Sequence, residues 1–263
     1  GIGPLAVSRR VAVCGKLACM DSTIARGGKA IYGAPLGILM LEARFARIPG
    51  DMGNAETWPF PVLYRVVAGA SPERVVLRGA AGLCDDFIVA ARELVSHGAE
   101  AITTNCGFLA LFQRELAEAA AVPVATSALL QVPWVQALLP PGQRVGVITV
   151  SAASLSPRHL AAAGVPADTP IAGTEGGHTF YRTLILGETD ELDVAGAEAD
   201  ILDAGADLLR RHPDVGAIVL ECTNMPPYAA AVRRAFGRPV FDIYSLVTWL
   251  RAGVRPRRFV VPE

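Results

Sequence analysis

Two cysteines stand at equivalent places in an internal repeat, and this constrains the fold more than any other feature of the sequence. The first closes the run Ala101-Ile102-Thr103-Thr104-Asn105-Cys106 and the second the run Ala217-Ile218-Val219-Leu220-Glu221-Cys222. Their separation, 222 − 106 = 116 residues, also carries Pro123-Val124 onto Pro239-Val240, so the register holds past the thiols without a gap. Upstream, His97-Gly98 and His212-Pro213 fall one residue out of register. The chain reads as two copies of one α/β unit, each ending a buried strand in a thiol. Copies that face each other place one thiol on each side of the cleft between them. That arrangement suits moving a proton from one face of a carbon to the other.

The totals agree with a well-buried protein of two units. The chain has 263 residues, 52% of them hydrophobic and only 19% charged, and such a length accommodates one large domain or two ordinary ones. A net charge of −1 gives no electrostatic case for nucleic-acid or membrane partners. No apolar run approaches the roughly 18 residues of a membrane helix. Arg9-Arg10 before Val11-Ala12-Val13-Cys14 has a faint likeness to an export signal, but Lys16 and Asp21 interrupt it. Residues 1–34 are read as a leader of uncertain structure. Five cysteines, an odd number without Cys-x-x-Cys spacing, indicate free thiols, no metal site and a reducing cytoplasm.

Apolar runs without alternation are separated by helical patterns, the signature of parallel sheets covered on both faces. Strands are expected at Leu36–Leu41, Leu63–Val67, Ile102–Thr104, Val124-Ala125, Arg144–Thr149, Val215–Leu220 and Val240-Phe241. Helices are expected to start at Ser71-Pro72-Glu73 and to run over Leu83–Ser96, Leu109–Ala120, Leu129–Leu138, Ser156–Ala163, Asp193–Arg211, Pro227–Phe236 and Leu246–Arg251. The expected fold is α/β, with two pseudo-symmetric, doubly wound (Rossmann-like) halves. One lobe takes residues 35–139 plus 241–263 and the other 140–240. Ligands of such sheets bind beyond the carboxyl ends of the strands, where Cys106 and Cys222 both fall.

A helix following each cysteine is expected to draw the thiol pKa down from about 8.5 toward neutrality. A near-neutral thiol serves as a base on one side and an acid on the other. Polar groups where strands stop are candidates to hold a substrate carboxylate and the enolate-like oxygens that form as a proton leaves. These are Asn105, Gly107 through its N–H, Thr126, Ser127, Thr149, Ser151, Thr223 and Asn224. A lone strand-end cysteine is more often a small buried hydrophobe; duplication in register argues for chemistry. Cys14, Cys19 and Cys84 have no such partner.

Through Thr104-Asn105-Cys106 and Glu221-Cys222-Thr223-Asn224, the sequence resembles the aspartate/glutamate racemase superfamily, over nearly the whole chain from Gly37 onward. The resemblance implies two α/β halves with the active site between them. It also implies chemistry without pyridoxal phosphate, metal or any other cofactor, and Cys106 and Cys222 as paired acid and base. Thr223 matches a threonine that helps bind the substrate carboxylate, and family members are often dimers. The sequence departs from the amino-acid racemases in following Cys106 with Gly107-Phe108 and Thr223 with Asn224. Superfamily relatives include hydantoin racemases, arylmalonate decarboxylases and maleate isomerases, so the chemistry on this frame varies.

Two further segments bear on the site. The irregular stretch 47–61 follows the first strand, where binding residues collect. Arg47, Asp51 or Asn54 could contact substrate there and Trp58 or Phe60 cover it; the alternative is a packed loop that buries its aromatics. In Gly173-Thr174-Glu175-Gly176-Gly177-His178, His178 is a candidate ligand, against a plain glycine turn. Asp242 reads as a helix cap. The combined expectation is a cofactor-independent racemase or epimerase for a small carboxylate-bearing carbon acid. The alternative is a decarboxylase or cis–trans isomerase relying mainly on one cysteine, and a second is a two-lobed binding protein.

Overall fold

The computed structural model describes residues 27–259. The expectations at Cys14, Cys19, Arg9-Arg10 and most of the leader lie outside them. The chain forms two four-stranded, wholly parallel sheets. The first contains β1 (Leu36–Leu41), β2 (Val62–Val67), β3 (Ala101–Thr104) and β4 (Val124–Ala125) in the order β2-β1-β3-β4. The second contains β5 (Arg144–Thr149), β6 (Ile171–Gly173), β7 (Val215–Leu220) and β8 (Val240–Phe241) in the order β6-β5-β7-β8. The central strands β1, β3 and β7 are buried at every residue, as strands covered on both faces must be.

Helices α1 (Cys84–His97), α2 (Gln113–Ala120) and α3 (Val132–Leu138) accompany the first sheet in sequence; α4 (Pro157–Ala162), α5 (Val194–Arg211) and α6 (Ala229–Phe236) accompany the second. The last helix, α7 (Ile243–Val254), packs back onto β3 and β4 while also touching β8. It is longer than its apolar core suggested because Asp242 starts it with a reciprocal cap: Asp242 Oδ1 accepts from Ser245 N at 2.9 Å and Ser245 Oγ from Asp242 N at 3.0 Å. Ordered polar residues at a cap extend a helix beyond its hydrophobic stripe.

The repeat is real but has two registers. Gly37 of β1 and Gly146 of β5 are equivalent, 146 − 37 = 109 residues apart. A Cβ at either would meet the helix behind its strand, Leu94 at 3.0 Å and Leu208 at 2.8 Å. Wide helical turns at Glu73–Leu77 and Arg182–Leu186 repeat the same spacing, 182 − 73 = 109. From β3 and β7 onward the spacing is 116. The difference falls where α5, at 18 residues, exceeds α1, at 14. The helix expected at Ser71-Pro72-Glu73 is therefore this short wide turn, capped as expected by Ser71 Oγ accepting from Arg74 N at 3.2 Å. The helix expected from Leu109 is preceded and begun by a tighter 3₁₀ stretch over 107–112, and α2 starts only at Gln113.

Candidate active site

A narrow cleft lies beyond the carboxyl ends of β1, β3, β5 and β7. In each sheet the chain moves outward from the first strand in one direction and then returns to add the third on its other side. The cleft thus sits at both topological switch points, where neighbouring loops diverge and leave a hollow. Cys106 and Cys222 both line it, together with Asn105, Gly107, Glu221, Thr223 and Asn224. Arg47 enters from the loop after β1, and Phe45, Phe108, Val76, Leu184 and Ile185 provide apolar walls. Val76 belongs to one wide turn and Leu184 and Ile185 to the other, and these turns meet across the cleft.

The two strand ends touch each other in a pattern that the repeat itself dictates. Thr223 Oγ1 donates to the Asn105 carbonyl. At the matching place Gly107 lies so close to Glu221 that a Cβ there would be 2.1 Å from Oε1 and 2.6 Å from the Glu221 carbonyl. Shifted by 116, Asn105 becomes Glu221 and Gly107 becomes Thr223, so the two contacts exchange about a pseudo-twofold axis between the cysteines. Asn105 also fastens β3 to β1, its Oδ1 accepting from Leu41 N at 2.7 Å. Glu221 fastens β7 to β5 in the same way, Oε2 accepting from Thr149 Oγ1 at 2.7 Å.

Both thiols are buried, and burial overrides the helix-terminal effect expected from sequence. Cys106 is pushed up to about 12, first by desolvation and then by the Glu221 carboxylate; N–H groups of Phe108 and Leu109 and the Arg47 charge oppose this without prevailing. Cys222 is also raised by burial, then by Glu221. Desolvation penalises the thiolate more than one turn of a 3₁₀ helix stabilises it. The resting site thus holds two neutral thiols. They differ in their partners: Cys222 Sγ donates to Asn224 Oδ1 at 3.5 Å and its anion is favoured by one N–H, that of Asn224, whereas the Cys106 anion is favoured by two N–H groups and the Arg47 charge.

The loop after β1 holds Arg47 in place. Its Nη1 donates to Asp51 Oδ1 at 2.9 Å, and Asn54 Nδ2 donates to the Arg47 carbonyl at 3.0 Å. Asp51 Oδ2 in turn accepts from Asn224 Nδ2 at 2.5 Å. Arg47 Nη2 is buried without a partner, a guanidinium N–H left for an anion that enters the cleft. Asp51 and Asn54 therefore stand behind Arg47 and do not line the cleft.

Several expected ligands are occupied elsewhere. Thr126 pairs with Gln113, its N–H at 3.0 Å and its hydroxyl at 2.7 Å from Oε1. Ser127 caps the turn at 128–131 through Leu129 N at 3.2 Å, and Ser151 bonds Ser154. Thr149 reaches the cleft only through Glu221, and the Thr223 hydroxyl is held by Asn105. Trp58 does not cover the site: it is buried, stacked on Tyr244 with ring centroids 5.6 Å apart. Phe60 packs under the Arg251 guanidinium. His178 belongs to a glycine turn whose N–H groups at 178, 179 and 180 donate to Asp200, away from the thiols.

Sequence reasoning assigned no role to Glu221, although it stands in the motif beside Cys222. It is fully buried, its Oε1 has no partner, and burial raises it to about 7. Among the described residues no three His, Cys, Asp or Glu side chains gather to hold a metal ion, and no helix is long and apolar enough to cross a membrane.

Known proteins resemble this chain in sequence and in fold. A dimethylsulfoniopropionate lyase of Durusdinium sp. clade D is 29% identical over 232 residues, covering 86% of this chain and 77% of that protein. Dimethylsulfoniopropionate lyase 6 of Emiliania huxleyi is 32% identical over 221 residues, covering 79% of this chain but only 56% of that longer protein. In fold, a glycine-to-cysteine mutant of arylmalonate decarboxylase in a sulfate-associated form superposes with a TM-score of 0.56 at 18% identity, over 84% of this chain and 93% of that one. Allantoin racemase from Pseudomonas fluorescens gives a TM-score of 0.50 at 16% identity, over 86% and 100%. The family model for Asp/Glu/hydantoin racemases matches residues 90–250, which include both cysteines. With two parallel α/β halves and a thiol from each in one cleft, the chain belongs to the Asp/Glu/hydantoin racemase family of enzymes.

Proposed function

We propose that this enzyme is a lyase that removes the α-proton of a small carboxylate and expels a leaving group from its β-carbon. Sulfonium propanoates such as dimethylsulfoniopropionate are the substrate class. The observation that carries the reading is a single apolar cleft containing two thiols and the unpartnered Nη2 of Arg47. The choice of elimination over racemisation rests on the lyases to which the sequence is similar.

Arg47 holds the substrate carboxylate. Cys106, whose anion is favoured by two N–H groups and by Arg47, is the base. Its thiolate takes the α-proton, the C–H electron pair becomes the C=C bond, and the C–S pair leaves with sulfur. The products are the α,β-unsaturated carboxylate and a neutral thioether, and the proton on Cys106 returns to solvent. Cys222 stays neutral; its single S–H, directed at Asn224 in the free enzyme, turns from that partner to donate to the developing enolate. The reaction discharges a sulfonium, so apolar walls such as Phe108 and Ile185 favour the transition state over the charge-separated substrate.

The matched thiols favour a second reading, in which Cys222 returns the proton to the opposite face and the product is an epimer. Proton NMR in deuterated water distinguishes the two. The enzyme is offered dimethylsulfoniopropionate alongside amino acids, hydantoins and arylmalonates. Acrylate and dimethyl sulfide in equal amounts support the lyase. Interconversion of amino-acid or hydantoin enantiomers with α-deuteration and no acrylate overturns it in favour of the racemase. As a lyase, Cys106→Ser loses ~10³-fold or more in turnover and Cys222→Ser about a hundred-fold, the upper and lower parts of the usual worth of a positioned acid or base.

A further inference from the structure

We infer that Glu221 and Cys106 titrate as one coupled pair across the contact between the two halves, Glu221 holding the pair's one proton in the state in which Cys106 is the thiolate base. The inference deepens the proposed elimination and rests on it for the role of Cys106. Four observations support it. Glu221 is fully buried at the floor of the cleft, and Oε1 has no hydrogen-bond partner. That oxygen lies against Gly107, the residue after Cys106, with no space for a side chain between them. Its other oxygen is anchored by Thr149 at 2.7 Å, so the free oxygen is held toward the Cys106 segment. Finally, Glu221 is the largest charged influence on both thiols.

Charge conservation explains why the pair is needed. A Cys106 proton lost to solvent while Glu221 is ionised leaves two anions side by side in a buried space, which is strongly opposed. Transfer within the pair turns one carboxylate and one thiol into one carboxylic acid and one thiolate. No charge is created, and the S–H proton becomes the carboxyl proton. The other charged and titratable groups facing this unit are Cys222 on the β7 side, Arg47 and Asp51 on the loop after β1, and Tyr228 after β7. His159 of α4 lies with its ring 5.0 Å from that of Phe108. None of them interposes a hydrogen bond on Oε1. Glu221 is thus a positioning residue acting through Cys106; Gly107 is the space that admits it.

The test requires no substrate. The rate of Cys106 alkylation by iodoacetamide is followed against pH by peptide mass spectrometry, with Cys84 as an internal reference, and thiolate absorbance is titrated in parallel. In the wild type the Cys106 thiolate signal rises up to about pH 7, then runs flat, then rises again. Above the first break the pair holds one proton, and the thiolate share of that state no longer changes with pH. In Glu221→Gln the break disappears and a single rise remains. Thr149→Val, which removes a hydrogen bond that lowers Glu221, keeps the break but moves it to higher pH. With substrate, Glu221→Gln loses ~10²-fold or more in turnover at neutral pH, and Glu221→Asp recovers part of it. An unbroken wild-type profile, or the same break in Glu221→Gln, overturns the inference. A break without acrylate formation sinks the lyase reading and leaves the shared proton standing; acrylate without a break does the reverse.

Discussion

Arg47 shows how much at this site depends on one nitrogen. Nη1 is committed to Asp51, and Nη2 is buried and free, so the side chain performs two tasks that only a forked guanidinium can combine. Lysine keeps the charge but offers one compact head, unable to satisfy Asp51 and a carboxylate together. Arg47→Lys is therefore expected to raise KM for a carboxylate substrate by ~10-fold or more with a smaller change in kcat, because the lost contact is made in ground state and transition state alike. Steady-state kinetics on the sulfonium propanoate checks this; an unchanged KM removes Arg47 from the binding role. The sequence presented Arg47, Asp51 and Asn54 as equals on one loop. Hydrogen bonding across the fold separates them: the free valence belongs to Arg47 and the other two hold it.

At the level of elements, the strands that carry the site were legible because they are continuous apolar runs, and both thiols could be placed at their ends from the sequence. β6 was not, since Ile171-Ala172-Gly173 is three residues long and lies at a sheet edge, with too little pattern to distinguish it from a loop. The wide turn at 182–186 escaped for the same reason, and its counterpart at 73–77 was legible only as a helix start at Ser71-Pro72-Glu73; their common spacing of 109 is visible once the sheets are known. The expected lowering of the thiols failed because a pattern locates a helix start but carries no measure of desolvation. Two substitutions probe the elements around the site. Gly107→Ala drives a methyl group into the Glu221 carboxylate and its own carbonyl, contacts that backbone cannot readily relieve, and is expected to lower stability by about 1–3 kcal/mol. Asp242→Ala removes the cap of α7 and is expected to lower it by about 1 kcal/mol. Urea unfolding midpoints measure both. Turnover distinguishes them, because only Gly107→Ala displaces a group beside Cys106.

Across the whole molecule, a fold built from two facing copies brings its most buried backbone contacts and its reactive groups to the same place. The segments around Cys106 and Cys222 join the halves and also form the floor of the cleft, so the chemistry inherits the dielectric of a domain core. Glu221 shows what this costs the folded state. Its carboxyl is raised from about 4.5 to about 7 by burial, so between those values the folded chain binds a proton that the unfolded chain has released. Stability is therefore full below about pH 4.5, falls as pH rises toward 7, and levels beyond it. The loss amounts to roughly 3 kcal/mol for a shift of this size. Glutamine does not titrate, so Glu221→Gln abolishes that slope. Its amide leaves a donor where Oε1 lacked a partner, which costs about 1–3 kcal/mol at every pH. The decisive quantity is thus the change between two pH values. Relative to wild type, the variant gains about 3 kcal/mol of unfolding free energy between pH 4.5 and pH 8, measured by urea titration at each. Parallel wild-type and variant curves across that range would mean that Glu221 titrates normally in the fold, its anion beside Cys106 being stabilised enough to offset burial.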